Sequence, residues 1–492
     1  AEGVNRLLAL FDKHSYDEAI IFGHALEGNL HFVFTQGFDS AADKARYEAF
    51  MQDVAQLVAV EFGGSLKAEH GTGRNMAPFV ELEWGTDAYQ LMWQIKKLLD
   101  PNHILNPEVV LSHNPQLHLQ NLKPLPATNP LVDKCIECGF CEPVCPSRKL
   151  TLTPRQRIVT QREISRLTAS GDEPQRLAAL QHAYQYQGND SCAACGMCST
   201  ACPVGINTGD LTRQLRAVNN RPWQAVAVFI ARHFNVAAAI SRFGLRVGNL
   251  VGAVLPRWHK AMPTAQTIKI TQTKSEGLTP VIYLASCSGR VMGPAANSKD
   301  KRSLQQVSAS LLQKAGYQLI VPDGIDSQCC GMPFQSKGQF AAAEFKLREL
   351  EQWLLKVSNN GEIAVFSDTS PCSLTLRGKL DSRLSIFDSV DFLHDKVLPK
   401  LQITPLAEPV ALHITCSASQ LGQAEKLKAL LSVCSKQVVV PQGISCCGFA
   451  GDKGFVLPEL NASALSELKL QVSGCSQGIS TSRSCEIGLS QH

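Results

Sequence analysis

The sequence predicts a multidomain chain in which an α+β part precedes a helical part and two α/β lobes. Three observations predict it. Residues 135–146 read C-I-E-C-G-F-C-E-P-V-C-P, and residues 192–203 repeat the plan as C-A-A-C-G-M-C-S-T-A-C-P. From about residue 278 a strand–helix–strand pattern occurs twice, each time running into Cys-Cys-Gly, at 329–331 and 446–448. The 492 residues are 44% apolar and 18% charged, which suits several packed cores and a length of three or four domains.

The elements follow in order. Within residues 1–112, a helix over 4–13 precedes two strand-like runs, 19–22 and 30–34, the second alternating as a half-buried strand does. Helices are expected over 42–62 and 86–99, the latter stopped by Asp100-Pro101. Residues 113–130 are rich in Pro and Asn and read as a linker. Residues 131–215 hold both cysteine runs around a helix-prone insert at 154–186, so this domain should be mainly helical.

Residues 216–276 form a basic segment: positions 211–275 carry ten Lys or Arg and no Asp or Glu. On a helix, Arg232, Asn235, Arg242, Arg246 and Asn249 fall within an arc of roughly 100°. Gly244, Gly248 and Gly252 fall opposite, where another helix can approach. Two readings stay open, a basic face docking on anionic lipid or a packed helix pair with a solvated basic face.

The lobes are expected at 277–402 and 403–492 as a pseudo-repeat. Each has a strand ending in cysteine (Cys287, Cys416), then the pair (Cys329-Cys330, Cys446-Cys447), then a last cysteine (Cys372, Cys485). Such a repeat would bring the cysteine sets to one shared face. Cys434 and Cys475 lack repeat partners and read as packing residues.

A net charge of +4 is too small to suggest nucleic acid, and the basic segment lacks interleaved aromatics for base stacking. Eighteen cysteines in so long a chain suit a reducing compartment better than a secreted disulfide scaffold. No run of eighteen apolar residues predicts a spanning helix. The chain opens at Ala1-Glu2-Gly3 without Met or a basic-then-apolar leader, so it is expected to start mid-domain, after a missing N-terminal part.

The spacing C-x2-C-x2-C-x3-C-P wraps thiolates around a cubane [4Fe–4S] cluster, the fourth cysteine serving the other cluster in two-cluster ferredoxins. Cys135, Cys138, Cys141 and Cys202 are therefore assigned to one cluster, and Cys192, Cys195, Cys198 and Cys145 to the other. Zinc knuckles and disulfides are the bland alternatives, and zinc sites use looser spacing. Two clusters mean single-electron transfer.

Residues 23–31, G-H-A-L-E-G-N-L-H, and 63–74, G-G-S-L-K-A-E-H-G-T-G-R, gather histidines and a carboxylate beside glycine turns. Two imidazoles and a carboxylate form the three-ligand set of a catalytic divalent metal, zinc or manganese. Such a metal would grip a 2-hydroxy acid while a neighbouring imidazole removes its hydroxyl proton. Satisfied structural histidines are the other reading.

These two segments, together with D100-P-N-H-I-L-N106-P, resemble the C-terminal domain of FAD-linked oxidases of the vanillyl-alcohol oxidase superfamily, in the branch of D-lactate, D-2-hydroxyglutarate and glycolate dehydrogenases. With its cysteine runs and Cys-Cys-Gly lobes, the whole chain resembles the fused iron–sulfur D-lactate dehydrogenases of bacteria. The resemblance implies His24, His31 and Glu69 as metal ligands and His70 as general base. It implies Asn29 as a substrate residue and Asn106 as a residue near the flavin. The family loop commonly reads G-H-x-G-D-G-N-x-H, and Leu26 and Glu27 stand here at Gly-Asp; Glu108 stands where N-P-G is usual.

The Cys-Cys-Gly lobes resemble those of glycolate oxidase iron–sulfur subunits and heterodisulfide reductases, whose cysteines hold noncubane clusters. Here the final C-x-x-C is reduced, with Thr369 and Ser482 in place of its first cysteine. Additional iron–sulfur, acceptor-docking lobes and a strained disulfide all stay open.

The implied activity is oxidation of D-lactate to pyruvate, with FAD held mainly by a domain ahead of this chain and electrons passed through both clusters to a quinone or cytochrome. This piece alone is expected to be inactive. Glycolate or D-2-hydroxyglutarate oxidation is the alternative, and a non-catalytic electron-transfer component is the reading of another class. The expected location is cytoplasmic, with peripheral contact on the inner face of the cytoplasmic membrane left open.

Overall fold

The computed structural model describes the whole chain except residues 25, 39, 68–69, 123–124, 253–257, 259–260 and 269–276. It divides into two compact units, Ala1–Ala127 and Thr128–His492, of mixed helix and sheet.

In the first unit, helices α1 (Glu2–Lys13) and α2 (Ala41–Ala55) share a core with an antiparallel hairpin, β1 (Ile20–His24) and β2 (Asn29–Val33). Phe11, Tyr16 and Phe50 are its buried centre, with Ile21, Phe32 and Phe34 packed against them. The pairing Ile20–Val33, Phe22–His31 and His24–Asn29 puts these six residues on the face opposite Ile21 and Phe32, because strand side chains alternate. Ile20, Phe22 and Val33 are exposed there.

The helix expected over 42–62 is two pieces. Ser40 caps α2 by accepting from the Asp43 N–H at 3.0 Å, and from Gln56 to Glu61 the chain continues as a wider π-helical turn. Helix α3 (Thr86–Leu99) ends at Asp100. The Asp100 carboxylate accepts from the Ile104 and Leu105 N–H groups, both at 2.9 Å, and from Lys96 Nζ at 2.6 Å, and so shapes the loop that follows.

In the second unit, helices α4 (Pro154–Ser170), α5 (Pro174–Tyr184) and α6 (Thr208–Asn219) surround the two cysteine loops. Thr153 and Gln156 form a reciprocal capping box at the start of α4. Beyond them lie two parallel sheets. One has the order β4-β3-β5-β6, from Thr279–Leu284 (β3), Tyr317–Ile320 (β4), Val365–Ser367 (β5) and Ile386–Asp388 (β6). The other has the order β8-β7-β9, from Val410–His413 (β7), Val438–Val439 (β8) and Gln477–Ser480 (β9). In both, the first strand is central and the next two flank it.

Helices α7 (Gln224–Arg232) and α8 (Phe234–Val251) differ from the expectation of an outward basic face. Ala238, Leu245 and Gly248 are buried, and Arg242 Nη1 turns inward to 3.6 Å from Asp326. Arg246 and Arg232 are exposed, but the outward stripe is apolar: Val236, Ile240, Phe243, Val247 and Leu250, spaced at three or four residues. Small residues allow close packing on the inner side, which leaves the large apolar ones outside. No single described helix is long and apolar enough to cross a membrane; the pair Arg221–Arg232 and Phe234–Val251, bent by 90°, matches a span in length and composition.

Candidate functional site

The two cysteine loops have the same local geometry. Glu137 and Gly139 in the first, and Ala194 and Gly196 in the second, take positive φ at matching positions (58° and 85°, 47° and 77°). These left-handed residues turn each loop back on itself and aim backbone N–H groups at sulfur. Glu137 N donates to Cys135 Sγ at 3.4 Å, and Ala194 N to Cys192 Sγ at 3.3 Å.

The thiols fall into two electrostatic groups. Burial pushes Cys141 up to about 11, with Cys135 and Cys202 adding to the rise. Cys138, at the exposed side of the same loop, has Ile136 and Phe140 beside it, 65% and 64% exposed. In the second group, burial raises Cys145, and the Cys192 thiolate acts on it. Burial pushes Cys198 up to about 12, with Cys195 and Cys192 contributing. Donor chemistry and mutual proximity fit an anionic iron–sulfur group at each loop.

What surrounds the loops differs. At the first, Arg162 Nη1 meets Glu137 Oε1 at 2.7 Å in a buried pair, and Nη2 donates to the Asp133 and Cys135 carbonyls. At the second, two guanidiniums are buried, Arg157 at 1% and Arg216 at 6% exposure. Arg157 Nη1 lies 3.7 Å from Cys145 Sγ, its Nε donates to Gly188 O at 2.7 Å, and its Nη2 to Ser147 Oγ at 2.9 Å. Arg216 Nη2 donates to the Asn189 and Cys192 carbonyls, both at 2.7 Å. Among the described residues neither guanidinium forms an ion pair. Burial alone would raise the Cys192 thiol, but Arg157 and Arg216 outweigh it and bring it down to about 7. Sequence reasoning missed both arginines. Their signal is an inward position in the helical period: Pro154, Arg157 and Ile158 share the buried side of α4, as Leu211, Thr212 and Arg216 do on α6.

The eight lobe cysteines form two tetrads beyond the C-terminal ends of the strands, where open parallel sheets place their ligands. Cys287, Cys329, Cys330 and Cys372 interact, with Cys330 Sγ 3.4 Å from Cys372 Sγ. Cys416, Cys446, Cys447 and Cys485 do likewise, with Cys447 Sγ 3.0 Å from Cys485 Sγ. Each Cys-Cys-Gly turn is closed by the glycine N–H donating to the first sulfur, at 3.4 Å and 3.5 Å. Gly331 and Gly448 both take positive φ, and a Cβ would lie 2.6 Å from Ala343 O or 2.7 Å from Leu460 O. Thr369 and Ser482 are buried, and Thr369 Oγ1 donates to Thr481 O at 3.0 Å, joining the loops after β5 and β9.

The second tetrad touches the second cysteine loop. The Cys195 and Cys446 thiols interact, and Gln420 Nε2 donates to Cys195 O at 2.7 Å and Cys416 O at 3.0 Å. From the other lobe, Ser336 O accepts from Arg216 Nη1 at 2.9 Å.

In the first unit, the outward hairpin face brings three imidazoles together: His24 and His31 ring centres are 5.9 Å apart, and His31 and His70 5.2 Å. Phe22 stacks on His31 at 5.3 Å, and Asn29 Oδ1 accepts from His24 N at 3.2 Å. Glu69 lies outside the described residues. Among the described residues no group of three or more His, Cys, Asp or Glu side chains is arranged to hold a metal ion, so the expected divalent-metal set is not shown. Asn106, at φ 41°, sits in a loop tied to the His70 loop by Val110 N donating to Gly73 O at 3.1 Å and by Arg74 pairing with Glu108 at 3.1 Å. Glu108 takes φ 59°, a conformation that favours the glycine usual there.

Comparison with known proteins agrees with this architecture. Residues 1–110 match the family FAD linked oxidases, C-terminal domain; residues 131–206 match the 4Fe-4S dicluster domain; residues 410–472 match the cysteine-rich domain. The chain thus carries an FAD-oxidase C-terminal domain, a dicluster iron–sulfur domain and a cysteine-rich domain. The glycolate oxidase iron-sulfur subunit of Escherichia coli (strain K12) is 25% identical over 381 residues, 69% of this chain and 84% of that protein. The D-lactate dehydrogenase of Anaerostipes hadrus is 36% identical over 87 residues, 18% of each. A probable mitochondrial D-2-hydroxyglutarate dehydrogenase of Oryza sativa subsp. indica is 40% identical over 90 residues, 18% of this chain and 15% of that one. The chain therefore spans most of the first relative and under a fifth of the other two. No solved structure matches.

Proposed function

We propose that this chain serves an FAD- and iron–sulfur-dependent dehydrogenase that oxidises a D-2-hydroxy acid, D-lactate first among the candidates, to the 2-oxo acid. The observation that carries the reading is the cluster of His24, His31 and His70 on one hairpin face, in the same chain as two loops of cubane spacing. Flavin, when bound, would supply the acceptor for the substrate's α-hydrogen as hydride, and two clusters held by the cysteine loops would carry off the resulting electrons one at a time.

The chain's own residues do the rest. His70 accepts the hydroxyl proton on an imidazole nitrogen, while Asn29 orients the substrate and Asn106 lies toward the flavin. His24, His31 and Glu69 would hold a divalent cation, zinc or manganese, against the substrate carboxylate and hydroxyl. Cys135, Cys138, Cys141 and Cys202 hold one cluster, and Cys145, Cys192, Cys195 and Cys198 the other. The Cys-Cys-Gly tetrads, read as a duplicated lobe, lie beyond the second cluster on the way to a quinone or cytochrome, with further iron–sulfur there as the open option. The exposed Ile20, Phe22 and Val33 beside the histidines support an FAD-bearing domain covering that face. The apolar stripe of α8, with Arg232 and Arg246 exposed, supports peripheral contact with an anionic membrane, and eighteen cysteines suit a reducing, cytoplasmic location. Loss of vesicle co-sedimentation in Ile240→Asp/Phe243→Asp would bear that out, and unchanged binding would remove it.

The test of the activity is anaerobic flavin bleaching by a panel of 2-hydroxy acids, with an FAD-binding domain supplied and EPR on the same samples. Bleaching by D-lactate with reduced-cluster signals is expected. Bleaching by glycolate or D-2-hydroxyglutarate alone would keep the mechanism and replace the substrate. A second reading, an iron–sulfur electron-transfer subunit without its own catalysis, is favoured by the 84% coverage of the Escherichia coli subunit. It would stand if no acid bleached flavin while dithionite still reduced the clusters.

A further inference from the structure

We propose that Arg157 and Arg216 hold the cluster of the second cysteine loop at the higher reduction potential of the two, so that electrons collect there rather than at the first. The inference rests on the proposed function for the presence of the clusters and the source of the electrons; the ordering of the potentials is its own claim.

Reduction adds one negative charge to a cluster, so nearby positive charge favours the reduced form and negative charge opposes it. The second loop has two buried guanidiniums within reach, one 3.7 Å from Cys145 Sγ and the other bonded to the Cys192 carbonyl at 2.7 Å. Asp190 acts on Arg216 only through its field. Lys453 Nζ adds a third cation, donating to Asp190 O at 2.5 Å. At the first loop, Arg162 is cancelled by Glu137 in a buried contact of 2.7 Å.

One effect works the other way. Cys138 is exposed, and water dipoles also stabilise a reduced cluster. Size decides between them. At an effective dielectric near 20, one unit charge about 4 Å away changes an equilibrium by roughly a thousandfold. Solvent at one edge of a loop has to offset Arg157 at that distance and Arg216 beside it, neither of which forms an ion pair among the described residues.

The step is a single electron transfer. One electron leaves the first cluster, which is oxidised, and enters the second, which is reduced; no bond forms or breaks, and all eight thiolates stay bound. Gln420 Nε2, donating to Cys195 O at 2.7 Å and to Cys416 O at 3.0 Å, ties the second loop to the second tetrad.

The experiment is a potentiometric titration of the anaerobically isolated 492-residue chain, reading each reduced-cluster signal by EPR. A Cys138→Ser chain, lacking the first cluster, identifies the second signal. In the unchanged chain the second signal should appear at the higher potential. Arg157→Gln should weaken its reduction equilibrium at least tenfold, a fall of about 59 mV, and leave the first signal within twofold. Arg157→Lys, which keeps the charge, should restore most of the loss. Arg216→Gln should act in the same direction, so the claim stays testable if Arg157→Gln fails to fold. An unmoved second signal, an equal shift at both signals, or the first signal at the higher potential would overturn the proposal and leave the dehydrogenase reading intact. Absence of both signals would take down the cluster assignment as well.

Discussion

The loops at 135–145 and 192–202 place left-handed residues at the same two positions and turn the same N–H toward the first sulfur, yet one meets water and the other is enclosed. At the first, a buried arginine is matched by a glutamate. At the second, two buried arginines lie beside the thiols, and among the described residues no carboxylate is paired to either. The spacing of the cysteines dictates the backbone; the helices packed behind it dictate the charge. A cofactor's coordination and its electrostatics are therefore specified by different stretches of chain.

The largest effect should come from removing a thiolate. Cys138→Ser should lose one cluster and leave the fold in place, since its side chain is exposed. Cys195→Ser should lose the other and also loosen the contact with Cys446 in the second lobe. Iron content and thermal unfolding, measured together, check the difference. Equal destabilisation by the two changes would break the contrast between an open loop and an enclosed one.

Next in size is Glu137→Gln, which strands Arg162 as a buried charge. Breaking such a pair costs about 3 kcal/mol in urea unfolding. The variant should also raise the potential of the first cluster toward that of the second, narrowing the gap read by EPR.

A third change concerns Lys453, held down at about 8 chiefly by burial and then by the neighbouring Arg216. An unfolded lysine titrates near 10.4, so between these values the unfolded chain binds the extra proton. Stability should then rise with pH from about 8 to 10.4. Lys453→Met should flatten that rise in urea midpoints measured at pH 7.5 and 10. A slope that persists would show that Lys453 is not its source.

The smallest effect is Ala194→Gly. Relieving the positive φ should stabilise by about 1 kcal/mol, less what glycine's freedom takes back in the unfolded chain. The equivalent change at Glu137 would instead destabilise, because its carboxylate is in use.

Much of this was legible beforehand, and the reasons differ by region. The cysteine runs and the Cys-Cys-Gly turns are local, so spacing exposes them directly. The capping box at Thr153–Gln156 and the stop at Asp100 are local as well. The hairpin strands run a residue or two away from the expected 19–22 and 30–34, because pairing across the turn sets their ends. What stayed hidden depends on distant partners. Arg157 reads as a surface charge until Gly188 and Cys145 close over it, and Arg242 looks solvated until Asp326 meets it. His24 and His31, seven residues apart, were legible as a pair in one turn, and strand register is what sets them on one face.

Gly196 is pressed against Gln420 so closely that a Cβ would lie 2.6 Å from its amide oxygen. The second loop is thus roofed by residues more than two hundred positions later in the chain. On the proposed assignment, iron would have to reach Cys192, Cys195 and Cys198 past that roof, whereas the loop at Cys138 is open to solvent. Burial here is also a matter of access: the enclosed loop would exchange its iron more slowly than the open one, which chelator-driven iron loss followed at the two EPR signals would read.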